Sequence, residues 1–429
     1  MRALALTMVN LAVGAGIFGL PALAARELGV GAVFAYLLCI VLVGLVGLCL
    51  AEVGSRVSDA GGLYGYAAAS FGPFAGTVTG HLLWFGNGAI GNAAVAVLLV
   101  DTLGLLVPWL AGPVPRALVL LGYYATLVAI NVRGTRQGSG LSQLTTVLKL
   151  VPLVGLVVIG LPYVHRANLH LDGMPSPGGL GRTAVLLFFA FMGFESGLGT
   201  SGEVTAPART VPRALLFALT LIATLYLGLQ IVAQGVLGPA LATAGDAPLV
   251  ATAMAAFGPT GGTVILVAAL LSTAGAVAAD ILATSRVVHA LGRDGVLPRA
   301  LGRVDGARAT PVVAIVVYAV VCAALAVSGT FRLLATLSAS ATLCIYLVCC
   351  TGLLRLRARG VREEREPFVV PGGPVVPILA TITVLAVLSG LGARDFVMLG
   401  VMLAVTLTLA LLRRPRRPLD RSVTDTRSR

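Results

Sequence analysis

Two stretches put helix-breaking residues where an apolar chain has least use for them. Val13-Gly14-Ala15-Gly16-Ile17-Phe18-Gly19-Leu20-Pro21 places three glycines and a proline in the first apolar run. Phe189-Ala190-Phe191-Met192-Gly193-Phe194-Glu195-Ser196-Gly197-Leu198-Gly199 brings glycines, a serine and a carboxylate into the sixth. At such positions the i to i−4 ladder opens most easily, and opened backbone at membrane depth persists only where it is buried in protein or lines a cavity. Freed N–H groups in the first break, with the positive dipole end of the half-helix that follows, can hold a carboxylate. Freed carbonyls at Phe191 and Met192 in the second can hold an ammonium group, with Phe189 and Phe191 as roof or floor. A negative-seeking and a positive-seeking site together suit the two ends of an α-amino acid. Close helix packing is the competing use of glycine in either stretch alone, and it accounts less well for two breaks in matched positions.

Four ionisable side chains are read as lying inside the bilayer: His81, Lys149, Glu195 and Asp280. A Lys or Asp at the centre of a spanning helix costs roughly 2.5 to 3.5 kcal/mol on insertion scales, so each is a functional candidate by default. Lys149 can supply a fixed positive charge or titrate, and the structural alternative is an ion pair with Asp280. Glu195 is either a proton-linked gate or an acceptor for the opened helix. His81 lies near the inner end of the third run and is read as interfacial.

The elements that must hold these residues are membrane spans. Of 429 residues 58% are apolar and 11% charged, with a mean hydropathy of +0.98, where an ordinary soluble domain carries about a quarter charged residues. Twelve apolar runs are long enough to cross as helices: 3–25, 30–54, 74–105, 116–132, 141–162, 182–201, 212–237, 261–290, 311–328, 333–354, 375–391 and 395–412. The short alternating segments of a membrane β-barrel are absent. With both termini in the cytoplasm, 23 Lys and Arg gather on inner loops and tails and six on outer loops (Arg26, Arg116, Arg166, Arg182, Arg332, Arg394), with Lys149 inside a span. That contrast is the positive-inside pattern of a multi-pass plasma-membrane protein, and it accounts for the net charge of +13 without nucleic acid. The segment 355–367, rich in Arg and Glu, is read as a solvated loop.

Six cysteines inside apolar runs have the spacing of neither metal ligands nor a disulfide frame and read as small core residues. Arg2, an apolar run and Ala22-Leu23-Ala24 imitate a secretory signal, but Pro21 interrupts the run and further spans follow, so the segment is read as retained. The first span begins almost at Met1, which leaves a longer N-terminus open. No hydrolase or metalloprotease motif and no phosphate-binding Gly-x-x-x-x-Gly-Lys loop occurs, which argues against an enzyme and against ATP as the driving force.

Spans one and six hold equivalent places if spans 1–5 and 6–10 are two copies of one five-helix unit, the pointer to an inverted-repeat transporter. The fold class expected is all-α integral membrane, with twelve helices, broken helices one and six, and two additional helices at the end. The organisation expected is a transporter core over 1–354 with repeats at about 3–162 and 182–354, a linker and helices eleven and twelve over 355–412, and a basic cytoplasmic tail over 413–429.

In chain order, several stretches resemble motifs of the amino acid–polyamine–organocation (APC) superfamily of permeases. They are Gly14 through Pro21; Glu52 through Ala60-Gly61-Gly62-Leu63-Tyr64; Asn131-Val132-Arg133-Gly134; Ala190 through Ser196; Glu203-Val204 through Pro207 with Val211-Pro212-Arg213-Ala214; and Arg293-Asp294-Gly295-Val296-Leu297-Pro298 with Thr310-Pro311. The resemblance implies a leucine-transporter-like five-plus-five fold and alternating access around a central amino-acid site. It carries Gly14, Ala15, Gly16 and Ile17 to the carboxylate site and Phe191, Met192 and Gly193 to the amine site. Trp84-Phe85-Gly86-Asn87 is similar to the third-helix segment of the superfamily's arginine/agmatine antiporters, which makes Asn87 a side-chain contact, and Glu195 matches their sixth-helix glutamate. Ala15 departs from the usual serine and removes one hydroxyl. Lys149 is similar to proton-coupled and sodium-independent carriers, where a lysine takes the place of the second sodium. Coupling and gating would then rest on Lys149, Glu195 and Asp280, the last able to favour a cationic substrate or only to neutralise Lys149. The function expected is sodium-independent secondary transport of amino acids, by proton symport or exchange. The alternatives are an exporter or antiporter of amines or amino acids and a non-transporting amino-acid sensor. The partners expected are the amino acid, the lipid bilayer and, for symport, protons; no cofactor or metal is expected, and the oligomeric state is open.

Overall fold

The first apolar run does not form one helix. In the computed structural model, α1 (Arg2–Ala12) ends where the glycines begin and α2 (Gly16–Leu28) starts on the far side of them. The structure describes residues 2–14, 16–57, 62–133, 139–171, 173–195, 207–304, 310–361 and 367–412. Ala15, Ala60, Gly61, Gly134, Arg136, Ser196 through Gly199, Glu203, Val204, Arg308, Arg362 through Glu366 and the tail from Arg413 lie outside the described residues.

The remaining elements are all helical. After α3 (Ala32–Arg56) come α4 (Leu63–Phe71) and α5 (Pro73–His81), which runs through a π-helical stretch (Leu82–Ile90) into α6 (Gly91–Gly104). Then follow α7 (Pro113–Val132), α8 (Ser139–Gly160), α9 (Pro177–Phe191) and α10 (Pro207–Leu237). The series closes with α11 (Pro248–Arg293), α12 (Val312–Ser328), α13 (Phe331–Ala358), α14 (Val375–Leu388) and α15 (Ala393–Leu412).

Seven helical stretches among the described residues are long and apolar enough to cross a membrane, and four shorter apolar helices join them. How α7 packs shows why the surroundings must be lipid. Its buried residues Leu120, Tyr124, Leu127 and Asn131 form one helical stripe, while Val114, Leu118, Leu121 and Ile130 are exposed. A soluble helix would put charge on that outer face. The chain is a multi-pass membrane protein.

Two expectations shift in the structure. The eighth run, expected at 261–290, belongs to a helix that already starts at Pro248 and kinks at Gly258, where φ is +74°. Glycine tolerates that dihedral and Pro259 opens the next helical turn, so the two residues make a corner that hydropathy alone does not see. The reading of 355–367 as a solvated loop needs correction at its start. Arg355 and Arg357 still belong to α13; Arg355 sits 5.3 Å over the Phe71 ring and Arg357 reaches the fully buried Glu52.

That contact fixes one end of the bundle. Glu52 Oε1 accepts from Arg56 Nε at 2.9 Å and Arg357 Nε at 2.8 Å, and Oε2 accepts from Arg357 Nη2 at 2.5 Å and the Val370 N–H at 2.8 Å. One carboxylate thus ties α3 to α13 and to the segment leading into α14. Nearby, Tyr64 donates to Asp294 at 2.9 Å, so the Gly-Gly-Leu-Tyr and Arg-Asp-Gly stretches meet. Three arginines assigned to outer loops also have acidic partners: Arg116 with Asp101 at 2.8 Å, and Arg332 and Arg182 with Glu27 at 2.7 and 3.9 Å.

Candidate functional site

At the end of α1 the backbone ladder fails one residue at a time. Val13 N–H still reaches Val9 at 2.8 Å, but Gly14 N–H turns back to Ala12 at 2.7 Å. In a continuing helix it would have gone to Asn10. Lys149 of α8 takes that acceptor instead, its Nζ 2.5 Å from the Asn10 carbonyl, and the side chain is only 8% exposed. The lysine expected to supply charge near the first break is therefore anchored to the break itself.

A second side chain does the same for two helices at once. The Tyr226 hydroxyl, from α10, lies 3.0 Å from the Ala12 carbonyl and 2.9 Å from the Ala190 carbonyl. A phenol has one proton, so the two carbonyls share it. Its ring packs edge-on against Phe191 at 5.0 Å. Sequence reasoning missed Tyr226. The available signal was a tyrosine inside an apolar run, where a buried O–H needs a partner.

Gly16 opens α2 hard against α9. A Cβ there would lie 3.0 Å from Ala190 Cα and 3.1 Å from its Cβ, so the two half-helices touch through a position that only glycine fills without displacement. Ile17 beside it is fully buried and Gly14 is partly exposed. The N-terminal N–H groups of α2, with the positive end of its dipole, and the Lys149 ammonium give this break a positive field.

The second break starts where α9 stops at Phe191. Met192 is extended, with φ −70° and ψ 157°. Gly193 follows with φ +105°, a conformation open to glycine and strained for other residues, and its N–H donates to Glu195 Oε2 at 2.9 Å. Glu195, 8% exposed, thus acts as an acceptor for opened backbone. The continuation of the sixth run lies outside the described residues. The negative dipole end of α9 points into this region.

The other expected residues divide. Phe191 does not roof a pocket: its ring is 2% exposed, packed between Tyr226 and Tyr36, the latter at 6.5 Å. Side-chain direction at a helix end follows packing, and the seam of α3, α9 and α10 takes the ring. Phe189 stands edge-on to Phe331 at 6.0 Å. The missing Cβ of Gly91 would sit 2.8 Å from Ser338 Oγ and 3.8 Å from the Phe189 ring, so α6, α13 and α9 converge there. One turn earlier, Asn87 donates from Nδ2 to Thr342 at 2.9 Å, and its own carbonyl accepts from Ser338 at 3.2 Å.

Asp280 and Lys149 do not form the suggested ion pair. Asp280 Oδ2 accepts from Tyr318 at 2.6 Å and from Asn92 at 2.7 Å, and Oδ1 accepts from Thr284 at 2.7 Å. The two groups find nearer partners of their own, backbone for the cation and neutral donors for the anion. His81 is packed inside the bundle, 2% exposed, with its Nδ1 2.9 Å from the Thr77 carbonyl.

A bundle of apolar helices around an interrupted helix with a buried lysine suits a membrane transporter, and the family match and the relatives point to a transporter rather than an enzyme. The chain belongs to the amino acid permease family, whose model matches residues 1–407, and with it to the APC superfamily, as the ordered motifs imply. It is similar to the branched-chain amino acid permease BcaP of Lactococcus lactis subsp. cremoris, 29% identical over 90% of this chain and 88% of the relative. The uncharacterized transporter Rv1999c of Mycobacterium tuberculosis is 30% identical over 84% of this chain and 79% of the relative. The serine/threonine exchanger SteT of Bacillus subtilis is 27% identical over 88% and 87%.

Proposed function

We propose that this chain is a sodium-independent secondary carrier that moves neutral, aliphatic amino acids across the plasma membrane by alternating access, as a proton symporter or an exchanger. The observation that carries the reading is Lys149 at 2.5 Å from the Asn10 carbonyl. A lysine held there puts a positive charge where a coupling cation would otherwise neutralise opened carbonyls. The substrate carboxylate would be received at Gly14, Ala15, Gly16 and Ile17 by N–H groups and the α2 dipole. Its ammonium group would meet the carbonyl end of α9 at Phe191, Met192 and Gly193, with Phe189 and Asn87 on the walls and Glu195 gating the second break.

Neutral substrates are favoured because Asp280 already holds three donors and is not waiting for a cationic side chain. The name of the 29% identical permease points the same way, and that of the exchanger keeps exchange open. The five-plus-five repeat, twelve crossings and cytoplasmic termini belong to this proposal. The experiment is uptake of labelled isoleucine, serine and arginine into sodium-free proteoliposomes, either empty, loaded with unlabelled amino acid, or under an imposed proton gradient. Saturable isoleucine uptake, indifferent to added sodium and not inhibited by arginine, is expected. Strict sodium dependence, or uptake of none of the three, would overturn the reading.

A further inference from the structure

Asp280 is the only one of the intramembrane candidates whose hydrogen bonds come solely from neutral side chains of other groups in the bundle. It lies on α11, 13 residues before Arg293, which at 1.5 Å per residue is about 20 Å along the helix and well inside a hydrocarbon core. Its partners come from three helices: Tyr318 from α12, Asn92 from α6 and Thr284 from its own turn. Asn92 is oriented in turn by Tyr124 of α7, which donates to its Oδ1 at 2.7 Å, so Nδ2 must face the carboxylate.

The surrounding charges do not compensate it. From α12 it faces Tyr318 and Cys322, and from α7 Tyr124, while Tyr123 donates elsewhere, to the Ala274 carbonyl at 2.7 Å. On α8, Lys149 is committed to Asn10, and on α10, Tyr226 to Ala12 and Ala190. The charged residues of α2, Arg26 and Glu27, are at its outer end, and Arg286, His289 and Arg293 follow Asp280 toward the inner end of α11, where Arg299 also lies. No cation among the described residues forms an ion pair with it.

The partner set fits both protonation states. When the carboxylate is ionised, all three partners donate to it. When Oδ1 carries a proton, Oδ1–H can donate to Thr284 Oγ1, and the threonine hydroxyl turns to the carbonyl four residues back, a bond that helical threonines commonly make. Tyr318 and Asn92 continue to donate to Oδ2. Neither state leaves a buried polar atom unpaired, and a metal ion would find donors where it needs acceptors.

We propose that the Asp280 carboxyl, held by Tyr318, Asn92 and Thr284, is a proton-binding site that couples a transmembrane proton gradient to transport. The inference rests on the carrier reading above and chooses symport within it. The step is a simple protonation: an Oδ1–H bond forms as hydronium gives up a proton and becomes water, and it is reversed on the other side of the membrane. α11 packs against α2, which follows the first break, and against α8, whose Lys149 holds the Asn10 carbonyl before it, so a change of charge at Asp280 acts on a helix that touches both.

The test compares wild type with Asp280→Asn and Tyr318→Phe in proteoliposomes, reading labelled isoleucine accumulation under an acid-outside gradient and isoleucine exchange without one. Asp280→Asn should collapse the ratio of gradient-driven uptake to exchange to its no-gradient value. Tyr318→Phe removes a donor that favours the ionised form, so the midpoint of gradient-driven uptake should move to higher pH by about one unit. Infrared difference spectra of the same vesicles between neutral and acid pH read the group directly: a protonated-carboxyl C=O band is expected in wild type and absent in Asp280→Asn. An unchanged ratio, an unmoved midpoint, or a wild type that exchanges but ignores the gradient would each overturn the proton site. A wild type that moves no amino acid in any mode sinks the carrier reading instead, and the infrared band then decides the proton site alone. Loss of that band's dependence on residue 280 contradicts it.

Discussion

Glu52 and Asp280 are both carboxylates drawn into an apolar bundle, and the protein treats them in opposite ways. Glu52 has two guanidinium groups and a backbone N–H, all within 2.9 Å, and is fully buried. Asp280 has a phenol, an amide and a hydroxyl. A carboxylate facing fixed cations is locked in its ionised form and works as a rivet between α3 and α13. One facing neutral donors can change its charge without losing its partners. Lys149 is held in place by a neutral backbone carbonyl, not by an opposite charge.

The largest effect that would break this contrast is on the rivet. Glu52→Gln leaves Arg56 and Arg357 without their counter-charge, and unpartnering a buried pair costs roughly 3 to 5 kcal/mol. A thermal melt in detergent should fall by far more than for any substitution at Asp280, whereas equal losses would mean that the two carboxylates do the same work. Lys149→Met removes a charged hydrogen bond, worth about 1.5 to 3 kcal/mol, and isoleucine uptake should fall about 10- to 100-fold. Restored transport when sodium is added to Lys149→Met would sharpen the assignment of this lysine as a stand-in cation.

Smaller effects follow for neutral groups. Tyr226→Phe keeps the ring against Phe191 but leaves the Ala12 and Ala190 carbonyls without their shared proton. A neutral hydrogen bond contributes about 0.5 to 1.5 kcal/mol, so uptake should drop about 3- to 10-fold with little loss of stability. Asp280→Asn retains an acceptor oxygen for Tyr318, and its melting curve should shift by no more than about 1 kcal/mol corresponds to.

How much of this was legible in sequence depended on whether the signal was local. The first break was, because glycine and proline act on their own backbone: Gly14 does turn its N–H away from the helix, and Gly16 does sit where a Cβ has no room. The end of α9 at Phe191 and the glycine-dependent dihedral at Gly193 followed from the same local chemistry. Partnerships were not legible. Lys149 and Asn10 are 139 residues apart, and Glu52 and Arg357 are 305 apart. Apolar periodicity says that a charge is inside, not what answers it. The Lys149–Asp280 pairing was plausible by sign alone, and nearer carbonyls and hydroxyls displaced it. Phe191 misled for a related reason, since residue type marks a ring as a possible wall but the seam it packs into belongs to α3 and α10.

The claim at the centre is that the opened backbone between α1 and α2 receives the substrate of an amino-acid carrier. Sodium-free proteoliposome uptake of labelled isoleucine by wild type and Gly16→Leu tests it most directly, with a melt of each protein to show that both are folded. The account predicts saturable uptake by wild type and none by Gly16→Leu, because any Cβ at that position meets Ala190 at 3.0 Å and displaces the half-helices. Normal uptake by Gly16→Leu would contradict it and move the substrate site away from the first break.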